Sequence, residues 1–202
     1  MAINAAHIAT LSGAKLLGSQ EASFTQFAFD SRRIHSAQRT CFIALKTEFA
    51  DGHRFIDSAI SRGATTVICS HAKYAQEYPS VAFIIHPEPI EVLKSWGAEQ
   101  RAQLPGEVLA ITGSNGKTVV KEWLYELLGA PEEVHRTHAS FNSVLGVPLT
   151  LSALESKHQS AIIEVGIDRP GQMKSHAKLV QPTLGIFTTL GDAHGEHFEN
   201  DH

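Results

Sequence analysis

Glu107-Val108-Leu109-Ala110-Ile111-Thr112-Gly113-Ser114-Asn115-Gly116-Lys117-Thr118 sets an apolar strand, a glycine-flanked loop and the start of a helix in direct succession. Such a loop leaves the carboxyl end of a strand, the position at which open α/β sheets bind ligands. Gly113 and Gly116 let the backbone bend until its N–H groups, including those of Ser114 and Asn115, face an anion. Lys117 is then placed to reach the β- and γ-phosphates of a nucleotide, and the Thr118 hydroxyl to ligate Mg²⁺. The common phosphate loop has four residues between its first glycine and Gly-Lys-Thr. Here Ile111 stands where that glycine would be, so the loop is a shortened variant. An ordinary αβ turn is the alternative, and the strand before and helix after favour ATP.

Downstream the alternation continues, with strands near 134–136, 160–165 and 183–189 and helices near 117–128, 147–154 and 171–179. Upstream, a helix from Asn4 to Ser12 closes at Gly13, strands are expected at 24–29, 41–45, 66–69 and 81–85, and Phe55, Ile56, Ala59 and Ile60 mark a helix face. Pro89 suits the first turn of a helix toward Leu104, and Pro105-Gly106 then breaks the chain. The expected organisation is α/β: a small amino-terminal αβ domain over 1–104, then a doubly wound parallel-sheet phosphate-loop domain over 105–202 whose sheet is cut short.

Residues just after strands carry the candidate chemistry. Ser160-Ala161-Ile162-Ile163-Glu164 ends an apolar strand in a carboxylate, which is costly to bury without a cation or donor. Mg²⁺ on the nucleotide is one partner for Glu164; capping the helix after Gly166, or pairing with Arg169, are the others. His194 follows the strand 183–189 at the same rim. His194 and His197 have a spacing that one metal tolerates, although such pairs usually share a solvated helix face. Asn142 and Ser143 precede Pro148, either as helix initiation or to orient nucleotide or substrate oxygens. In the amino-terminal half Asp30-Ser31-Arg32 ends a strand and Lys46 precedes Asp51-Gly52-His53; these are turn or capping residues, or a phosphate-binding set.

Composition bounds the rest. The chain has 202 residues, 43% hydrophobic and 19% charged, with net charge -4, so neither nucleic acid nor a membrane is favoured as partner. Cys41 and Cys69 lie in apolar strands and are expected as buried free thiols in a reducing cytoplasm. The amino terminus has no basic region followed by an apolar run.

Taken together, Thr112 to Thr118, Asp30-Ser31-Arg32, Cys41 to Lys46, Asp51 to Ile56, Asn142-Ser143 through Thr150, Glu164-Val165-Gly166 and Ala193-His194 resemble the Mur ligases of peptidoglycan synthesis, in that family's order and over nearly the whole chain. The wording from Gly113 to Trp123 is similar to members that add D-alanyl-D-alanine to UDP-N-acetylmuramoyl-tripeptide, in the form fused to an alanine racemase. The resemblance implies a cytoplasmic ATP-dependent amide ligase acting through an acyl phosphate. It implies Ser31, Arg32 and Lys46 at the UDP end, Gly113 to Thr118 and Asn142 at ATP, and Thr118, Glu164 and His194 at Mg²⁺, with Lys117, Glu164 and His194 serving catalysis. The family also uses a later carbamylated lysine and a carboxyl-terminal domain, so residues 1–202 alone are expected not to ligate; a non-catalytic nucleotide-binding module or the preceding amino-acid-adding Mur ligase are the competing expectations.

Overall fold

The computed structural model describes residues 2–35, 39–47, 50–129 and 131–191. The chain divides into two compact units, 1–96 and 97–202, and the division falls within a helix, Pro89–Gln103.

The first unit contains β1 (Ile3–Asn4), α1 (Ala5–Ser12), β2 (Lys15–Gly18), β3 (Ser23–Phe24), β4 (Gln26–Ala28), β5 (Thr40–Ile43), α2 (Ile56–Ser61), β6 (Ala64–Cys69) and β7 (Ala82–Ile85). Its main sheet has the order β2-β7-β6-β5-β4, parallel except where β2 runs antiparallel to β7. Phe42, Val67, Cys69 and Phe83 carry one core beneath α2. β5 and β6 read as continuous apolar strands because both faces are covered. Cys41 and Cys69 are buried and free, and burial raises both thiols.

Two local expectations need correction. The strand expected at 24–29 is split into β3 and β4, which pair with different partners, β1 and β5. The edge strand β2 was not anticipated; Lys15-Leu16-Leu17-Gly18 is four residues long and has no β-branched side chain, so its strand state comes from pairing with β7 rather than from propensity.

The second unit follows α3 (Pro89–Gln103) with β8 (Val108–Thr112), α4 (Lys117–Leu127), β9 (Val134–Arg136), α5 (Gly146–Ser152), β10 (Ser160–Glu164), α6 (Gln172–Val180) and β11 (Leu184–Phe187). Its sheet is parallel throughout, in the order β11-β8-β10-β9. Side chains alternate across β10: Ala161 and Ile163 join Val108, Val147, Leu151 and Val180 in the core under α5 and α6, while Glu164 turns to α4. That alternation puts a carboxylate, rather than a methyl group, beneath the helix that leaves the glycine loop. No helix among the described residues is long and apolar enough to cross a membrane.

His135 on β9 donates from Nε2 to the Thr150 carbonyl at 2.9 Å and lies against the His158 ring. A carbonyl can only accept, so His135 holds its proton on Nε2. Burial pulls its imidazole down from 6.5 to about 4, against the opposing effect of that hydrogen bond. The folded chain therefore takes up the second, charging proton less readily than the unfolded chain. The stability it contributes is whole above about pH 6.5 and is lost as pH falls through about 4. Urea titrations between those pH values should show wild type losing stability more steeply than His135→Gln; equal slopes would contradict the assignment.

Candidate nucleotide and metal site

β8 delivers the backbone at Gly113, which has φ 129°, and Gly116 follows at φ 81°. Both angles are strained for any residue with a Cβ, and at Gly113 a Cβ would collide with the Thr188 hydroxyl. Gly116 is the N-cap of α4 and has no side chain with which to cap it. The first-turn N–H groups and the positive end of the helix dipole are thus left for an anion. Lys117 folds over the loop, its Nζ donating to the Gly113 carbonyl at 2.5 Å and the Ser114 carbonyl at 3.4 Å.

The segment after β11 straps this loop. The Ser114 N–H donates to the Thr189 carbonyl at 2.8 Å, and the Asn115 N–H to Thr189 Oγ1 at 3.2 Å. Thr188 Oγ1 donates to the Asn115 carbonyl at 2.5 Å, and Ser114 Oγ meets both the carbonyl and the N–H of Gly191 at 2.9 Å. Two of the amides expected to face phosphate are therefore engaged by Thr189, and the helix terminus and Lys117 provide the accessible positive end. His194 and His197 lie outside the described residues.

Glu164 is the hub. It is 1% exposed, and Thr118 Oγ1 donates between its two oxygens at 3.0 and 2.9 Å. Asn142 Nδ2 donates to Oε1 at 2.6 Å, and Lys121 Nζ stands 3.7 Å from Oε2. The Glu164 N–H donates to Thr137 Oγ1 at 2.9 Å, tying the end of β10 to the loop after β9. The helix-capping and Arg169 alternatives recede: α6 begins behind Gly171 without a side-chain cap, and Glu164 faces α4. At 3.7 Å and an effective dielectric near 20, Lys121 attracts this carboxylate by about 4 kcal/mol. Desolvating two ions costs several kcal/mol each, so the pair orients Glu164 rather than adding net stability.

A hydroxyl that donates its proton to Glu164 keeps its lone pairs for a cation. Thr118 and Glu164 are hard oxygen donors side by side, as Mg²⁺ requires. Among the described residues no three His, Cys, Asp or Glu side chains gather into a metal cage. The site fits Mg²⁺ brought in on a nucleotide.

The Mur ligase middle domain profile matches residues 111–201. The chain is 31% identical over 200 residues to the UDP-N-acetylmuramoyl-tripeptide--D-alanyl-D-alanine ligase of Haemophilus influenzae, covering 97% of this chain and 43% of that protein. It is 32% identical over 157 residues to the Escherichia coli ligase of the same name, covering 78% and 34%. The crystal structure of MurF from Acinetobacter baumannii superposes with TM-score 0.86 at 28% identity, over 98% of this chain and 43% of that one. MurF ligase from Thermotoga maritima, solved in complex with ADP, superposes with TM-score 0.72 at 27% identity, over 85% and 39%.

The chain belongs to the Mur ligase family. It spans 43% of the length of the Haemophilus relative.

In this Mur ligase chain the remaining sequence-derived candidates lie in the first unit. Ser31 is buried in a single 3₁₀ turn, 31–33, capped by Asp30. Arg32 is mostly exposed and its guanidinium grips Asp30 at 2.8 to 3.2 Å, holding the Asp30 carboxyl down at about 2. A phosphate would have to share or displace that carboxylate. Lys46 pairs with Asp51 in an isolated antiparallel bridge.

Sequence reasoning passed over Lys121, Thr137 and the Thr188-Thr189 strap. The helix pattern gave no signal for Lys121: the apolar Val119, Trp123 and Leu127, spaced four apart, are exposed, whereas Lys121 between them is buried. Gly166 is the closest backbone approach at the hub; a Cβ there would lie 2.8 Å from Asn142 Oδ1 and 3.0 Å from its Cγ. Gly166→Ala should lower stability by about 1–3 kcal/mol by forcing Asn142 away from Glu164. An unchanged urea midpoint would contradict that packing.

Proposed function

We propose that this chain is the UDP-sugar-peptide-binding and ATP-binding part of an ATP-dependent ligase that joins D-alanyl-D-alanine to UDP-N-acetylmuramoyl-tripeptide in the cytoplasm, through an acyl phosphate. The observation that carries the reading is the Thr118 hydroxyl on Glu164, behind an uncapped helix terminus and a loop lysine. The relatives' names suggest the substrates, and the geometry of the loop and Glu164 supports a nucleotide with its metal.

Each residue then has a defined task. Lys117 leaves the Gly113 carbonyl for the phosphates and offsets charge on the transferring phosphoryl group. Thr118 and Glu164 hold Mg²⁺, joined in our reading by His194, and Asn142 fixes the Glu164 carboxylate in its rotamer. Bound Mg²⁺ would supply Lewis-acid neutralisation of phosphate charge. Ser31, Arg32 and Lys46 hold the UDP end, and closure of the whole enzyme brings the acyl group and the amine together.

Calorimetry tests both halves. Lys117→Ala should weaken ATP by about tenfold to a hundredfold, the range of a lost charge-assisted hydrogen bond, with the melting temperature nearly unchanged because the side chain is only half-buried. Equal ATP affinity would refute the loop assignment. Ser31→Ala should weaken UDP-N-acetylmuramoyl-tripeptide and leave ATP untouched; weakening of both would refute the division of labour.

A further inference from the structure

Lys121 lies one helical turn beyond Lys117 on α4 and is fully buried. Its ammonium has three protons and three close acceptors. It donates to the Thr137 carbonyl at 2.7 Å and to the Ala139 carbonyl, and it forms an ion pair with Glu122 Oε1 at 3.1 Å. Its fourth neighbour, Glu164 Oε2, stands at 3.7 Å, beyond hydrogen-bond range. At that distance the ammonium attracts the carboxylate directly as a charge, while the hydrogen bonds on its two oxygens come from Thr118 and Asn142.

The two carbonyls matter as much as the carboxylate. They belong to the turn after β9, where Ala139 adopts φ 49°, a conformation that an alanine holds only when its surroundings enforce it. The same turn carries the Thr137 hydroxyl that accepts the Glu164 N–H, and it runs on to Asn142, whose amide holds Oε1. One ammonium thus ties together the helix from the phosphate loop, the turn after β9 and the carboxylate at the end of β10.

Resting on the reading of Thr118 and Glu164 as the Mg²⁺ position, we propose that Lys121 is a positioning residue: it stands in for the metal's charge when Mg²⁺ is absent and presents Glu164 to Mg²⁺ when it arrives. It touches neither nucleotide nor metal. Its effect passes through Glu164 and Asn142, whereas Lys117 and the amino-terminal amides of α4 hold the phosphates without it.

That separation gives the experiment. ATP affinity is measured by calorimetry for wild type and Lys121→Met, once in excess Mg²⁺ and once in EDTA. The expected result is at least a tenfold loss in Mg²⁺ and less than a threefold change in EDTA. A loss of equal size in both conditions would show a merely structural lysine, and no loss in Mg²⁺ would show that Glu164 needs no such support; either overturns the proposal. Wild type that binds ATP without any gain from Mg²⁺ removes the metal position and the proposal together, whereas wild type that binds ATP in neither condition defeats the nucleotide reading itself. If Lys121→Met does not fold, the double variant Lys121→Met/Glu164→Gln, which removes both buried charges, should recover the fold; failure of the double variant as well would overturn the pairing.

Discussion

A carboxylate that is 1% exposed has to be balanced, and the second unit is arranged around that requirement. An ionised carboxylate buried alone would neutralise itself or disrupt its surroundings. At Glu164 the balance comes from three groups, the hydroxyl of Thr118 and the ammonium of Lys121 from α4 and the amide of Asn142, while the Thr137 hydroxyl fixes the backbone by accepting the Glu164 N–H. Register does the rest. β10 alternates its side chains so that Ala161 and Ile163 fill the core while Glu164 faces the helix that starts at the glycine loop.

The loop and the strap after β11 form a second, separate layer of this arrangement. Ser114 and Asn115 give their N–H groups to Thr189, so the strand end that leads toward His194 is physically tied to the turn that would hold phosphates. Any anion that recruits those amides must exchange with Thr189. Lys117, bonded to its own loop carbonyls, is likewise satisfied by groups it can leave.

Much of this was legible in the sequence because it rests on local rules. Strand, glycines, lysine and helix sit next to one another from Val108 to Leu127, and continuous apolar runs marked the buried parallel strands. Glu164 stood out because an acid at the end of an apolar run has to find a partner. Lys121 did not stand out, because a lysine in a helix is ordinarily a solvated residue, whereas α4 leaves Val119, Trp123 and Leu127 exposed and turns this lysine toward the sheet. Tertiary pairing, invisible to periodicity, also made β2 a strand and split β3 from β4. The strap was unreadable for the same reason: Thr188 and Thr189 lie far along the chain from Ser114 and meet it only because β11 pairs with β8.

The central claim is that the glycine loop and Glu164 form one site for a nucleotide and its metal. A crystal structure of the chain with a non-hydrolysable ATP analogue and Mg²⁺ tests it most directly. The account predicts phosphates at the amino terminus of α4 with Lys117 Nζ upon them, and a cation at about 2.1 Å from Thr118 Oγ1 on the side facing Glu164. Nucleotide density elsewhere on the molecule, or a triphosphate on the loop whose metal lies remote from both Thr118 and Glu164, would contradict it.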